Sequence, residues 1–454
     1  MAYNFLPYDQ DQLLLMPPSL QEWVADGSLA RFVSDVVDEL QATGELGAFY
    51  ARYRSDGWGR AAYAPVLMVK VLVYGYCIGV RSSRKLAQAL DLDVAFRFLA
   101  GNQRPDFRTL SDFRKDHLEA LDGLFVTVLR LCREAGLAKM GQVALDGRRV
   151  AGNAALERNR TKAKLEKLVQ TILQEAEETD AAEDALYGPD KRGDELPEEL
   201  RTREGRLKAI RRAIQELKQP EEEIRAAHEE KVRTRTLREQ QTGRPARGRK
   251  PKLNQKKLDR LSANLTDPES RILKTRKGYV QGYNGQAMVS CDTQVIVAQD
   301  LRQEQVDFRL LAPMLAICEE QAGERPELAI MDSGYWSEAN AALADDRTKL
   351  LIAVGSGAVI EGRKDNRRRK NAPRSRPNAV AMRAQLQTEE GRTSYKKRGQ
   401  SVEAVFGQMH ERGLNRFLLR SKRGAGTEWS LWCMTHNLLK LWRAGWTAGA
   451  LMPA

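Results

Sequence analysis

Gln142-Val143-Ala144-Leu145-Asp146-Gly147 is where the chain changes period. A short apolar run closed by Asp-Gly reads as a buried strand, whereas residues 1 to 138 read as helix. Pro65 suits the first turn of a helix continuing through Val66-Leu67-Met68-Val69-Lys70-Val71-Leu72-Val73, apolar almost all round and so expected to be buried. Ser82 or Ser83 would cap a helix running to Leu90, and a shorter helix from Val94 to Leu99 breaks at Gly101-Asn102. Ser111 to Leu131 continues as helix. Short helices with Arg81, Arg84 and Lys85 at a start have the character of a helix-turn-helix. An ordinary helical packing domain with basic solvent faces fits the same residues.

Downstream of that strand, about residues 157–262 become rich in Glu, Lys, Arg and Leu. Leu207, Ile210, Ile214 and Leu217 keep a 3-4-3 spacing, Leu165, Leu168 and Ile172 a shorter one, and Gly188-Pro189 and Gly193 break the runs. The pattern predicts an antiparallel helical hairpin, coiled-coil-like, inserted between the first and second strands. Strand periodicity returns from Gly278 to Val297 as a hairpin turning at Asp292-Thr293. A helix follows from Phe308 to Glu320, then a strand from Glu327 to Met331 leading into Asp332. A helix from Ser337, a strand from Lys349 to Val354, and helices over Ser401–Arg412 and Thr427–Ala444 complete the chain. The fold class is therefore α/β, a mixed sheet flanked by helices and preceded by an all-α domain. The expected domains are 1–138, a catalytic domain from 139–156 plus 272–447 with a basic loop at about 358–390, and the insertion 157–271.

A net charge of +13 favours a polyanionic partner, nucleic acid above all. Five cysteines without CxxC spacing, four of them in apolar runs, predict reduced core thiols and a cytoplasmic setting. The four histidines form no cluster with zinc-ligand spacing. The N-terminus lacks signal-peptide character, and the longest apolar stretch, residues 64 to 80, contains Lys70 and is short for a membrane span. No membrane partner is expected.

Three acids stand out: Asp146, Asp332 in Leu328-Ala329-Ile330-Met331-Asp332-Ser333-Gly334, and Glu403 in Ser401-Val402-Glu403-Ala404. Two carboxylates at strand ends and a third on a helix can converge on two divalent cations, Mg²⁺ or Mn²⁺, the arrangement used for phosphodiester chemistry. Taken singly, Asp-Gly and Asp-Ser-Gly are common turns and Glu403 an ordinary surface residue. Their order and flanking strands favour the joint, catalytic reading.

With these residues in view, the chain resembles the DDE transposases of bacterial insertion sequences. It is most similar to the branch with an N-terminal helical domain and a helical insertion after the first catalytic aspartate. The resemblance rests on Arg81-Ser82-Ser83-Arg84-Lys85-Leu86, Leu145-Asp146-Gly147, Thr266-Asp267-Pro268-Glu269-Ser270, Gly282-Tyr283-Asn284-Gly285-Gln286, Asp332-Ser333-Gly334-Tyr335, and Tyr395-Lys396-Lys397-Arg398 before Val402-Glu403. It implies a ribonuclease-H-like catalytic domain with Asp146, Asp332 and Glu403 as catalytic and metal-binding residues. It implies cleavage at element ends and transfer of the 3′-hydroxyl into target DNA. The implied partners are duplex DNA, as terminal inverted repeats and target, and further copies of the chain in a homodimer or larger synaptic assembly. The implied location is the nucleoid of a bacterial cytoplasm. The family motif Tyr-x2-Arg-x3-Glu-x6-Lys assigns DNA contacts to Tyr395, Arg398 and His410. Here four residues separate Arg398 from Glu403, and His410 stands in place of lysine. Mostly neutral near pH 7, it gives a weaker phosphate contact.

Further DNA contacts are expected from two basic stretches. Arg244, Arg247, Arg249 and Lys250 lie in an AT-hook-like segment, 243–252, although Lys250 interrupts the pattern. Arg367, Arg368 and Arg369 lie in the basic loop. Solvated linkers are the plain alternative for both. Tyr335 and Trp336 are candidates for stacking on a flipped base, with core packing the favoured reading. Trp429, Trp432, Trp442 and Trp446 read mostly as core. A transposase-derived DNA-binding protein without cleavage and a metal-dependent nuclease are the competing functions.

Overall fold

The computed structural model describes residues 19–53, 61–179, 203–246, 248–275, 278–354 and 377–447. Its internal contacts form two compact units, one from the described residues up to Ala138 together with those from Leu431 onward, the other from Lys139–Ser430.

The first unit is helical. Pro65 begins the helix Pro65–Ile78, whose Leu67, Met68, Val69, Val71, Leu72 and Tyr76 are all buried, as its all-round apolar sequence requires. Ser82 caps Ser83–Leu92 by accepting from the Lys85 amide, and Asp93 caps Val94–Leu99. The expected helix from Ser111 to Leu131 is instead two helices, Phe107–Asp116 and Leu118–Glu134. The break falls at His117, buried among Phe49, Phe113 and Tyr53. The same unit takes in the second half of the helix Ser421–Arg443. There Trp432 is fully buried edge-on against Tyr76, and Trp442 donates to the Gly27 carbonyl at 3.1 Å. Among the described residues no single helix is long and apolar enough to cross a membrane.

The second unit is built on a six-stranded mixed sheet. Its strands are β1 (Gln142–Ala151), β4 (Arg271–Thr275), β5 (Gly278–Ser290), β6 (Ile296–Arg302), β7 (Leu328–Met331) and β8 (Lys349–Ile352), while β2 (Asn159–Thr161) and β3 (Ser262–Asn264) form a separate pair. β1 is central, antiparallel to β5 and parallel to β7, which in turn is parallel to β8. β5 also pairs antiparallel with β4 and β6. β5 is buried almost continuously from Gln281 to Ser290, because it is covered on both faces. β1 does not end at Asp-Gly: it runs five residues past Asp146, to Ala151.

Between β2 and β3 the helices Lys162–Thr179 and Arg203–Thr242 pack through Leu165, Ile210, Ala213 and Leu217, with Val169 and Ile214 beside them. Of the residues that the spacing singled out, Leu165, Ile210, Ile214 and Leu217 enter this core, whereas Leu168 is exposed. The breaks at Gly188-Pro189 and Gly193 lie outside the described residues. The expected basic loop to about residue 390 is helical in its last part, Pro377–Gln387, with Glu389–Arg398 following.

Candidate active site

The parallel register of β1 and β7 sets Leu145 opposite Met331, so the residues that follow, Asp146 and Asp332, emerge from neighbouring strands at the same level. Asp146 accepts from its neighbour's amide, Gly147, at 2.7 Å, and Asp332 at the end of β7 accepts from Gly334 N at 2.8 Å. Glu403 arrives on a helical run that packs against both strands: Glu389–Arg398, a π-turn over Gly399–Glu403, then Ala404–Glu411. A π-turn accommodates one residue more than an α-helix does over the same rise. The extra residue between Arg398 and Glu403 is absorbed there, and the two side chains still meet.

Arg398 is the hinge pin of this arrangement. One of its terminal nitrogens donates to Asp146 Oδ2 at 2.8 Å and the other to Glu403 Oε1. Burial pushes the Asp146 carboxyl up to about 6; Arg398 opposes that rise, and the charges of Asp332 and Asp307 add to it. Burial acts to lower the Arg398 pKa, but Asp146, Tyr395 and Glu403 together hold it above the usual value. The Tyr395 ring lies under the guanidinium, 5.9 Å from centroid to Cζ, and burial raises its phenol. Among the described residues, no three acidic, histidine or cysteine side chains already surround a common ion position. The donor chemistry nevertheless fits a hard divalent cation, since every candidate is a carboxylate and a bound guanidinium now supplies the positive charge between two of them.

A fourth carboxylate, Asp307, was missed from sequence. It accepts from Asn284 Nδ2 at 2.8 Å and Gln286 Nε2 at 3.1 Å, and pairs with Arg149 at 3.5 Å. Gln286 in turn accepts from the Tyr335 hydroxyl. Gly334 separates Asp307 from Asp332: a Cβ built there would sit 2.9 Å from Asp332 Oδ1 and 3.5 Å from Asp307 Oδ2. The signal available was the alternation of Asn284 and Gln286 in a strand, which puts two buried amides on one face. Buried amides need partners.

The other sequence candidates fall in separate places. Tyr335 is fully buried, so its ring cannot receive a flipped base, whereas Trp336 is half-buried. His410 is exposed on the helix that follows Glu403. Arg84 and Lys85 are exposed at the start of the helix Ser83–Leu92, and Arg81 is half-buried with its guanidinium 5.2 Å from the Trp432 ring centroid. Arg244, Arg249 and Lys250 are exposed on an extended strap folded back along the helix Arg203–Thr242. Arg235 holds this strap by donating to the carbonyls of Ala246, Gly248 and Arg249, and Glu239 by accepting from Ala246 N. Arg247 and Arg367–Arg369 lie outside the described residues.

Comparison with known families gives two matches. Residues 18–116 match a family described as transposase domain (DUF772), and residues 361–442 match a transposase DDE domain, which includes Tyr395, Arg398 and Glu403. No curated protein and no solved structure matches the chain. A transposase domain over residues 18–116 and a transposase DDE domain over residues 361–442 together support an insertion-sequence DDE transposase.

Proposed function

We propose that the protein cleaves DNA at the ends of an insertion sequence and transfers the freed 3′-hydroxyls into target DNA, with Asp146, Asp332 and Glu403 as its catalytic acids. One observation carries this: Arg398 ties Asp146 to Glu403 while the β1–β7 register brings Asp332 alongside. Separate turns and a solvated helix would have had no reason to share one guanidinium. The strand order β6-β5-β1-β7-β8, antiparallel on one side of β1 and parallel on the other, supports a ribonuclease-H-like reading of the catalytic domain. In the same reading residues 1–138 form a DNA-binding domain, 157–271 an insertion that carries a basic strap, and the active species is a dimer or larger synaptic assembly.

Asp146, Asp332 and Glu403 would hold Mg²⁺ or Mn²⁺. The chemistry such ions supply is activation of an attacking oxygen and stabilisation of a departing one. The chain's own residues do the rest. Asp146 must lose the proton that burial favours before it can act as a ligand. Arg398, once its carboxylates are otherwise neutralised, has donors free for a phosphate near the cut, and Tyr395 keeps the guanidinium in place.

The test is incubation of the protein with labelled terminal-repeat duplex and Mg²⁺, with mapping of both strands. Nicks at the element boundary followed by joined products are expected. Asp146→Asn, Asp332→Asn and Glu403→Gln should each lose cutting while retaining DNA binding. Cutting by any one of these variants removes that residue from the site. Binding without nicks by the wild type would point to a transposase-derived DNA-binding protein, and nicks without joining to a nuclease.

A further inference from the structure

The DNA-binding reading leaves one surface of the helical unit unexplained. Phe107 opens the helix Phe107–Asp116 and is 38% exposed. The guanidinium of Arg84 lies 5.3 Å from its ring centroid and that of Arg108 5.7 Å. Arg84, Lys85 and Arg108 are all exposed, and among the described residues none is within ion-pair distance of a carboxylate. The nearest acid in sequence, Asp106, is spent on capping: its Oδ1 accepts from the amides of Arg108 and Thr109 at 2.7 and 2.8 Å.

The two helix starts that carry these cations are locked together from beneath. Arg114, only 4% exposed, donates to the Arg81 carbonyl at 2.9 Å and to Ser83 Oγ at 2.6 Å. A buried arginine that binds a carbonyl and a hydroxyl leaves its positive charge uncompensated there. It adds to a surface that carries three exposed cations and two helix N-termini against the single carboxylate of Asp106, which interacts with Arg108. Charges of one sign held close raise the local potential and attract a polyanion.

We propose that Arg84, Lys85 and Arg108 form a clamp for the phosphate backbone of duplex DNA, with Phe107 as the platform that holds the two guanidiniums in place. This rests on the DNA-binding reading above and adds to it Phe107 and Arg108, which sequence reasoning passed over. The clamp reads backbone and not base sequence, so it positions the helical unit on DNA without specifying a site.

The experiment is equilibrium binding of the full-length protein to a labelled duplex over a range of KCl concentrations, repeated with a second duplex of unrelated sequence. Arg84→Gln and Arg108→Gln should each reduce the slope of log K against log salt by about 0.9, the loss of one phosphate contact. Phe107→Ala keeps every charge. It should weaken binding about two- to five-fold, the size of an exposed cation–π contact, with the slope unchanged on both duplexes. Phe107→Tyr keeps the ring and should bind as wild type. Thermal melting identifies any variant that fails to fold, and the two arginine variants, at exposed positions, still decide the matter if Phe107→Ala does. Wild-type binding matched in affinity and slope by the arginine variants overturns the clamp alone. A Phe107→Ala defect confined to one duplex overturns it in favour of direct base stacking. A wild type that binds neither duplex overturns the DNA-binding reading and the clamp together.

Discussion

At Arg398 a single side chain donates to two of the candidate acids, Asp146 and Glu403. Its contact with Asp146 is the one that matters for stability, because both side chains are largely buried, 14% and 21% exposed, whereas Glu403 is 54% exposed and well screened by water. Arg398→Ala should therefore destabilise the metal-free protein by about 1–3 kcal/mol, the range for a charged hydrogen bond lost from a buried site. Urea denaturation measures it, and a change within error would mean that the guanidinium is dispensable. The Asp146 carboxyl titrates near 6, above its unfolded value of 3.8. Between those values the native state keeps a proton that the unfolded chain releases, so this group makes stability fall as pH rises through that window and level off above it. Asp146→Asn should remove that fall. Its stability relative to wild type should grow between pH 4 and pH 6, and a difference that stays flat with pH would contradict the assignment. The three candidate acids stand out in the sequence because Asp146 and Asp332 follow apolar runs and Glu403 lies on a periodic helix. The role of Arg398 as a shared partner of Asp146 and Glu403 was not legible there, since it lies 252 positions from Asp146. Asp307 was legible only indirectly, through the buried amides of Asn284 and Gln286, because its partners lie on strands elsewhere in the sequence.

Elements show where local signals were read for the wrong purpose. Asp146-Gly147 has the composition of a turn but lies inside a ten-residue strand. Glycine is required there for space, since a Cβ would fall 2.7 Å from Asn284 Oδ1, 3.1 Å from Asp307 Oδ1 and closer still to Gln286 Nε2. Gly282, paired with Ala151, is tighter: a Cβ would meet Val150 O and lie 2.9 Å from Gly152 N, both backbone atoms that cannot swing away. Gly282→Ala should cost about 3 kcal/mol or more, at the upper end of overpacking effects. Gly147→Ala meets movable side chains, so it should cost less while disturbing Asn284 and Gln286. Chemical denaturation of the two variants tests the order, and the reverse order would contradict the packing described for β1 and β5. The π-turn at Gly399–Glu403 is the opposite case. The extra residue was visible in sequence, but only three-dimensional structure could tell an offset motif from a bulge that restores the alignment.

The whole molecule divides less simply than its sequence. The change of period at residue 142 did mark the beginning of the sheet, and the amphipathic spacing found the helical insertion. Periodicity carried no sign that the helical unit is finished by residues from Leu431 onward, because an apolar helix reads the same whichever core it enters. Within that unit Trp432 packs on Tyr76, Trp446 meets Phe32 edge-on, and the Cys132 thiol faces the Asn437 carbonyl. A fragment of residues 18–138 should therefore lack a cooperative melting transition, and a fused 431–447 segment should restore one. A sharp transition in the shorter fragment would contradict the division. Buried thiols make a companion measurement. Burial pushes Cys132 up to about 12, so it should resist alkylation in the intact protein and react in the short fragment.

That late closure bears on how the polypeptide matures at the ribosome. Residues up to Ala138 leave the ribosome with Tyr76 and its neighbours uncovered, and the segment that completes their core follows only from Leu431 onward. A message broken before residue 431 yields a product whose helical unit stays open to proteases.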